Sequence, residues 1–233
     1  MFLPSILSLL LTTTTNASPL SRRAVIDSGA VVGFPQSVPS GELGTLYLRF
    51  QPHLYVQNGC VPFPAVDAAG NTGGGLAPTG SSNGGCSSSP GQVYARAGTH
   101  NGRYGIMYAW YMPKDEPSDG IGHRHDWECA VVWLSGSTGS PSITGVSASA
   151  HGGFQFNSSP NLTGTSPLIR YYSQWPLDHQ MGYTSTVGGE QPLVAWESLT
   201  DAARTALTNT DFGSANVPFK DANFASNLEK ADG

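Results

Sequence analysis

The sequence predicts a mostly β fold, a central β-sandwich flanked by helices. Three observations carry this. Aromatic- and β-branched-rich runs separated by Gly, Pro, Asn and Ser clusters dominate the middle of the chain. Two of them are apolar at both parities, the pattern of central strands covered on both faces. Helical text comes late and is short, so a few helices dress a sheet core.

Taken in order, "LYLRF" (46–50) is too short to assign. "QVYARAG" (92–98), "RYGIMYAWYM" (103–112), "WECAVVWLS" (127–135), "ITGVSASAH" (143–151) and "LIRYYSQW" (168–175) read as strands, the second and third of them central. In "ESLTDAARTALTN", Ser198 with Asp201 three residues on forms a capping-box-like start, and Ala and Leu favour helix to about Leu207. In "KDANFASNLEKA", Phe224 and Leu228 four apart make a small apolar stripe.

At 233 residues the chain is long enough for one substantial core. Its 29 glycines and 17 prolines, with 39% hydrophobic residues, suit a loop-rich β protein. A formal charge of −5 argues against nucleic acid as a partner and against bulk attraction to anionic lipid.

The first residues, "MFLPSILSLLLTTTTNASPLSRR", hold an apolar run from Leu3 to Leu11, too brief to span a bilayer, followed by a small-residue site at Ala17. Residues 1–23 are therefore read as a secretion signal with a short pro-segment ending at Arg22-Arg23, and 24–233 as a single domain of a secreted, extracellular protein. Removing 1–23 takes two arginines and no acids, so the charge moves from −5 to −7. In that setting Cys60 and Cys86, flanking the glycine-rich "DAAGNTGGGLAPTGSSNGG", are expected to form a disulfide contributing about 3 kcal/mol. Cys129 is expected to be a buried free thiol. Asn157 ("NSS") and Asn161 ("NLT") have the form of glycosylation acceptors, with Pro160 acting against the first.

Chemistry concentrates in "GIGHRHDWECAVVW" (120–133). In an extended strand Asp126 and Glu128 project together. His123 precedes them in a glycine-flanked turn, and Asp115 ends the preceding strand, so an antiparallel pairing brings all four to one rim. Three carboxylates within ~5 Å raise one another's pKa unless a cation lies between them. Oxygen-rich ligation with one imidazole suits Mg²⁺ or Ca²⁺, with Mn²⁺ also compatible; zinc, recruiting His125, stays open on spacing alone. Two other readings stand beside this. Asp126 and Glu128 pair with Arg124, Lys114 or Arg103 as solvated ion pairs, or His123 or His125 is a general base oriented by Asp126. No nucleophile elbow and no HExxH supports the second.

"GHRHDWE" (122–128), preceded by "GIMYAWYMPKDEPSDGI", resembles the signature of the necrosis- and ethylene-inducing-protein-like (NLP) cytolysins, and the resemblance covers essentially the whole chain after residue 23. "NGCVPFPAVDAAGNTGGGL" and "GCSSSPGQVYARAG" resemble the type-1 segment bearing the Cys60–Cys86 pair. The resemblance implies an actinoporin- or fungal-lectin-like sandwich and no enzymatic turnover. It implies that Asp115, His123, Asp126 and Glu128 hold one divalent cation. His151 and His125 are implied as further cavity-lining candidates, with Arg124 and His125 supporting the loop. Trp175 and His179 ("WPLDH") are implied in lipid and sugar recognition.

The implied target is the sugar headgroup of glycosylinositol phosphorylceramide sphingolipids in the plant plasma membrane, in the host apoplast. The chain would be a soluble monomer before membrane contact, causing leakage, necrosis and immune responses. Two alternatives accompany this. One is a non-toxic, lectin-like member whose exposed "GIMYAWYMPKDEPSDGIGHRHDWE" segment is noticed by host immune receptors; the other is a secreted metal-dependent hydrolase with Glu128 or His123 as base.

Overall fold

The computed structural model describes residues 23–174 and 178–232; most of the leader and Trp175 lie outside them. In chain order the elements are β1 (Val25–Ile26), α1 (Glu42–Arg49), β2 (His53–Val56), β3 (Thr72–Gly73), β4 (Val93–His100), β5 (Arg103–Ser118), β6 (Ile121–Leu134), β7 (Ile143–Ala150), β8 (Gly153–Asn157), β9 (Leu162–Thr163), β10 (Ser166–Gln174), β11 (Asp178–Tyr183), β12 (Leu193–Ala195), α2 (Asp201–Asn209) and α3 (Asp221–Ala231).

A six-stranded sheet runs β12-β4-β5-β6-β7-β8, and a smaller sheet, β11-β10-β2 with β9 on β10, packs across it through β11. Only β12 joins the large sheet in parallel; β4 to β8 form an antiparallel meander. Its tight turns at Asn101-Gly102 and His151-Gly152 place two consecutive residues at positive φ, which matches the twist of the strands they join. The opposite face of the large sheet carries the helices. Gly98 of β4 lies so close under α3 that a Cβ there would come within 2.7 Å of the Phe224 ring. The indole of Trp133 donates to the Ala231 carbonyl at 3.2 Å.

This is the predicted mostly β sandwich flanked by helices, and the five predicted strands all form. Two local expectations change, and one segment left open is settled. "LYLRF" is not a strand: its first four residues finish α1, which turns the apolar Leu46 and Tyr47 into the core. The cap of α2 is Thr200, whose hydroxyl accepts the Ala203 N–H at 3.1 Å. Ser198 sits earlier, in a single 3-10 turn. The hairpin β5–β6 runs well beyond the apolar text, because the charged "PKDEPS" continues the ladder until the chain reverses at Asp119-Gly120. His123 accordingly lies on a strand rather than in a turn.

That extension also narrows the expectation of an exposed immune segment to its hairpin tip, where Asp119, Gly120, Ile121, Gly122 and Arg124 are exposed. From Gly105 to Pro117 every residue is buried, since β5 is a central strand covered on both faces. Lys114 and Glu116 are buried within it as an ion pair, and Lys114 Nζ donates to the Ser81 carbonyl at 3.0 Å, tying down the glycine-rich loop. The same loop is closed by the Cys60–Cys86 disulfide, with Cα atoms 5.0 Å apart. Cys129 is free and buried.

Candidate cation and sugar site

The ladder between β5 and β6 is irregular toward its tip, with register shifts around Lys114 and again between Asp115 and Ser118. Lys114 is opposite both Arg124 and His125, and His125 takes φ +64°. Such a left-handed conformation costs a non-glycine residue roughly 1 kcal/mol. Its consequence is parity. His123 and Asp126 are three residues apart, as are Met112 and Asp115, and an unbroken strand would put each pair on opposite faces. With the irregularity, Asp115, His123, Asp126 and Glu128 all line one cavity of about 310 Å³.

The cavity lies where β7 stops pairing with β6. The last paired residues are Ala130 and Ala148, and beyond them the Ser149 hydroxyl accepts the Cys129 N–H at 2.9 Å and donates to Glu128. Asp126 is held by the Tyr171 hydroxyl at 2.6 Å. Asp115 Oδ1 accepts both the backbone N–H and ring Nδ1 of His179, at 3.1 and 2.7 Å. His123 turns Nδ1 to the His125 carbonyl at 2.8 Å and leaves Nε2 3.7 Å from Asp115 Oδ2. His151, in its strained turn, bonds Asp178 at 3.1 Å on the rim.

Electrostatically the site is one-sided. Burial first, and then the charge of Asp115, pushes the Asp126 carboxyl well above the ordinary carboxylate range. Burial and the charge of Asp126 do the same to Glu128. The three basic residues considered as partners are all engaged elsewhere: Lys114 with Glu116, Arg103 with Asp232, and Arg124 with the Gly74 and Gly75 carbonyls. The solvated ion-pair reading is therefore not what the chain does with Asp126 and Glu128.

Two histidines fall elsewhere than expected. His125 does not line the cavity. Its ring lies on the other side of β6 from its neighbour Asp126, as strand alternation requires, bonds the Tyr111 hydroxyl at 2.7 Å and meets the Phe212 ring edge-on. Burial, then the neighbouring Arg124, pulls its pKa down to about 4. His179 lies in the cavity floor, 2% exposed and stacked on Tyr171 with centroids 4.8 Å apart, so it orients Asp115 rather than offering a surface to a sugar. Trp175 lies outside the described residues.

Sequence reasoning missed Ser149, Tyr171 and Asp178. They come from β7, β10 and β11, and no local spacing links them to the motif. The only signal was the contiguity of Asp178 with His179.

Comparison with known proteins agrees with this architecture. The model of the necrosis inducing protein (NPP1) family matches residues 44–231. The chain belongs to that family. NLP effector protein Pc576423 of Phytophthora capsici is 52% identical over 214 residues, which cover 89% of this chain and 91% of the relative. The structure of NLPPya in complex with mannosamine superposes with a TM-score of 0.84 at 52% identity, covering 89% of this chain and 98% of that one. The non-toxic HaNLP3 protein superposes with a TM-score of 0.84 at 40% identity, covering 87% and 97%. A non-toxic protein thus shares this NPP1-family backbone.

The donor chemistry of this NPP1-family cavity suits a hard divalent cation. Asp115, Asp126 and Glu128 contribute carboxylates, and burial followed by neighbouring negative charge raises the pKa of the last two. Asp178 Oδ1 and His179 Nε2 are buried at the same cavity without a hydrogen-bond partner. Among the described residues no three such side chains already stand close enough to grip an ion.

Proposed function

We propose that this protein is a secreted cytolysin that recognises the sugar headgroup of plant plasma-membrane sphingolipid through a cation-shaped cavity. Asp115, His123, Asp126 and Glu128 would hold Mg²⁺ or Ca²⁺. When bound, that ion would neutralise the carboxylates and offer open positions to sugar hydroxyls. The chain's own part is to fix the donors: His179 orients Asp115, Tyr171 orients Asp126 and Ser149 orients Glu128. The observation that carries the reading is three carboxylates gathered at one cavity, two of which, Asp126 and Glu128, have no salt-bridge partner among the described residues, in a family that includes a relative whose structure is in complex with mannosamine. Leakage of the membrane, necrosis and detection by host immune receptors would follow binding, with no covalent turnover. Secretion into the host apoplast fits the Cys60–Cys86 disulfide. Among the described residues no helix is long and apolar enough to cross a membrane.

The test is dye release from vesicles with and without glycosylinositol phosphorylceramide, each in Ca²⁺ or Mg²⁺ and then in chelator. Release that needs both lipid and cation supports the proposal. Headgroup binding without release supports the second reading, a non-toxic binding member, which the similarity to HaNLP3 favours. The third reading, a metal-dependent hydrolase with Glu128 or His123 as base, would instead give product release from glycans that chelator abolishes.

A further inference from the structure

Two sequons lie close together at one end of the sandwich, and the fold treats them differently. Asn157 ends β8, half-buried and paired with Val146. Its side-chain oxygen accepts the Ser159 N–H at 2.9 Å. Pro160 follows at once and restricts Ser159 to extended conformations. Asn161 is exposed, as is Leu162. Its sequon forms a short protruding hairpin with β10, turned at Gly164, where φ is +60°. One Nδ2 hydrogen of Asn161 donates to the Thr184 carbonyl at 3.0 Å, which leaves the second free.

The placement is what gives this consequence. β10 starts beside Asn161 and ends at Gln174, opposite Asp178 on the cavity rim. The Asn161 carbonyl accepts the Leu168 N–H, so Asn161 is level with Leu168, six residues before Gln174; at about 3.3 Å per residue it lies roughly 20 Å from the cavity rim. β8 runs the same way, from Gly153 at the cavity to Asn157 at the far end.

We infer that Asn161, and not Asn157, carries an N-linked glycan, attached at the end of the sandwich opposite the cavity. The inference rests on the secretory route assumed above. The donor is a lipid-linked oligosaccharide diphosphate. A bond forms between sugar C1 and Asn161 Nδ2, the C1–O bond to phosphate breaks, the lipid diphosphate leaves and the amide loses one proton. The hydrogen that remains on Nδ2 can still serve Thr184. A glycan there adds bulk and solubility on the distal end and leaves the cavity end open to a flat membrane.

The experiment is to secrete the full chain from yeast, once on its own leader and once behind a host secretion signal, and to compare intact mass before and after peptide N-glycosidase. One glycan should be lost, with Asn161 converted to Asp. Asn161→Gln and Thr163→Ala should abolish the mass shift, Asn157→Gln should keep it, and Asn161→Gln should leave vesicle leakage intact. No shift in protein secreted behind the host signal overturns the inference, as does a shift that survives Asn161→Gln and vanishes with Asn157→Gln. A glycan on protein that fails to leak vesicles would instead sink the cytolysin reading alone.

Discussion

His179 and Asp115 are joined twice, by the backbone N–H and by ring Nδ1, and His179 is stacked on the tyrosine that holds Asp126. One buried imidazole thus braces two of the four candidate ligands. His179→Ala should lower Ca²⁺ or Mg²⁺ affinity by roughly 10- to 100-fold, the usual cost of losing a partner that orients a ligand. His179→Asn, whose amide can still donate to Asp115, should restore part of it. Calorimetric titration of the three proteins decides this; equal affinities would remove His179 from the site.

Asp126 and Glu128 are destabilised as carboxylates by burial first, and then by the charge of Asp115 on Asp126 and of Asp126 on Glu128. Asp126→Asn and Glu128→Gln keep the hydrogen bonds from Tyr171 and Ser149 but remove charge. Without cation each variant should therefore be at least as stable as the parent, by about 1–2 kcal/mol. Both should lose vesicle leakage and the rise in Tm that the cation gives the parent. Thermal melts with and without Ca²⁺ check both signs at once.

His125 carries the acid-side prediction. Its pKa is about 4 in the folded chain against 6.5 when unfolded, so the unfolded state binds the extra proton. Stability should be full above pH 6.5, fall as pH drops toward 4, and level off below that, by on the order of 1–3 kcal/mol. Urea midpoints measured across this range should fall less steeply in His125→Gln.

Lys114 and Glu116 are both buried and face each other across one strand. Lys114→Met leaves the Glu116 charge buried without its partner and should cost about 3–5 kcal/mol. The double variant Lys114→Met/Glu116→Leu should cost clearly less, the remainder reflecting the lost bond to the Ser81 carbonyl. Urea unfolding of the two separates them, and equal losses would show that the ion pair itself contributes little.

Much of the sandwich was legible because its central strands are apolar at both parities, which only a doubly covered strand tolerates. The extension of β5 and β6 was not, because "PKDEPSDGIGHRHD" is charged and its partners are distant in sequence: Lys114 reaches Ser81, and Asp115 reaches His179. "LYLRF" stayed unassigned for a related reason, since so short an apolar run suits either a strand or the end of a helix, and packing of Leu46 and Tyr47 decided it.

The sequence by itself determined the family motif, the disulfide pair, the strand-rich core and the acidic character of the segment from Asp115 to Glu128. The tertiary structure alone decided which histidine joins the carboxylates. Strand alternation assigns His123 and Asp126 to opposite faces, and one residue at positive φ, His125, reverses that assignment while sending its own ring to the other side. A residue's conformation in that region depends on what packs around it, here Tyr111 and Phe212, and no local spacing carries that information.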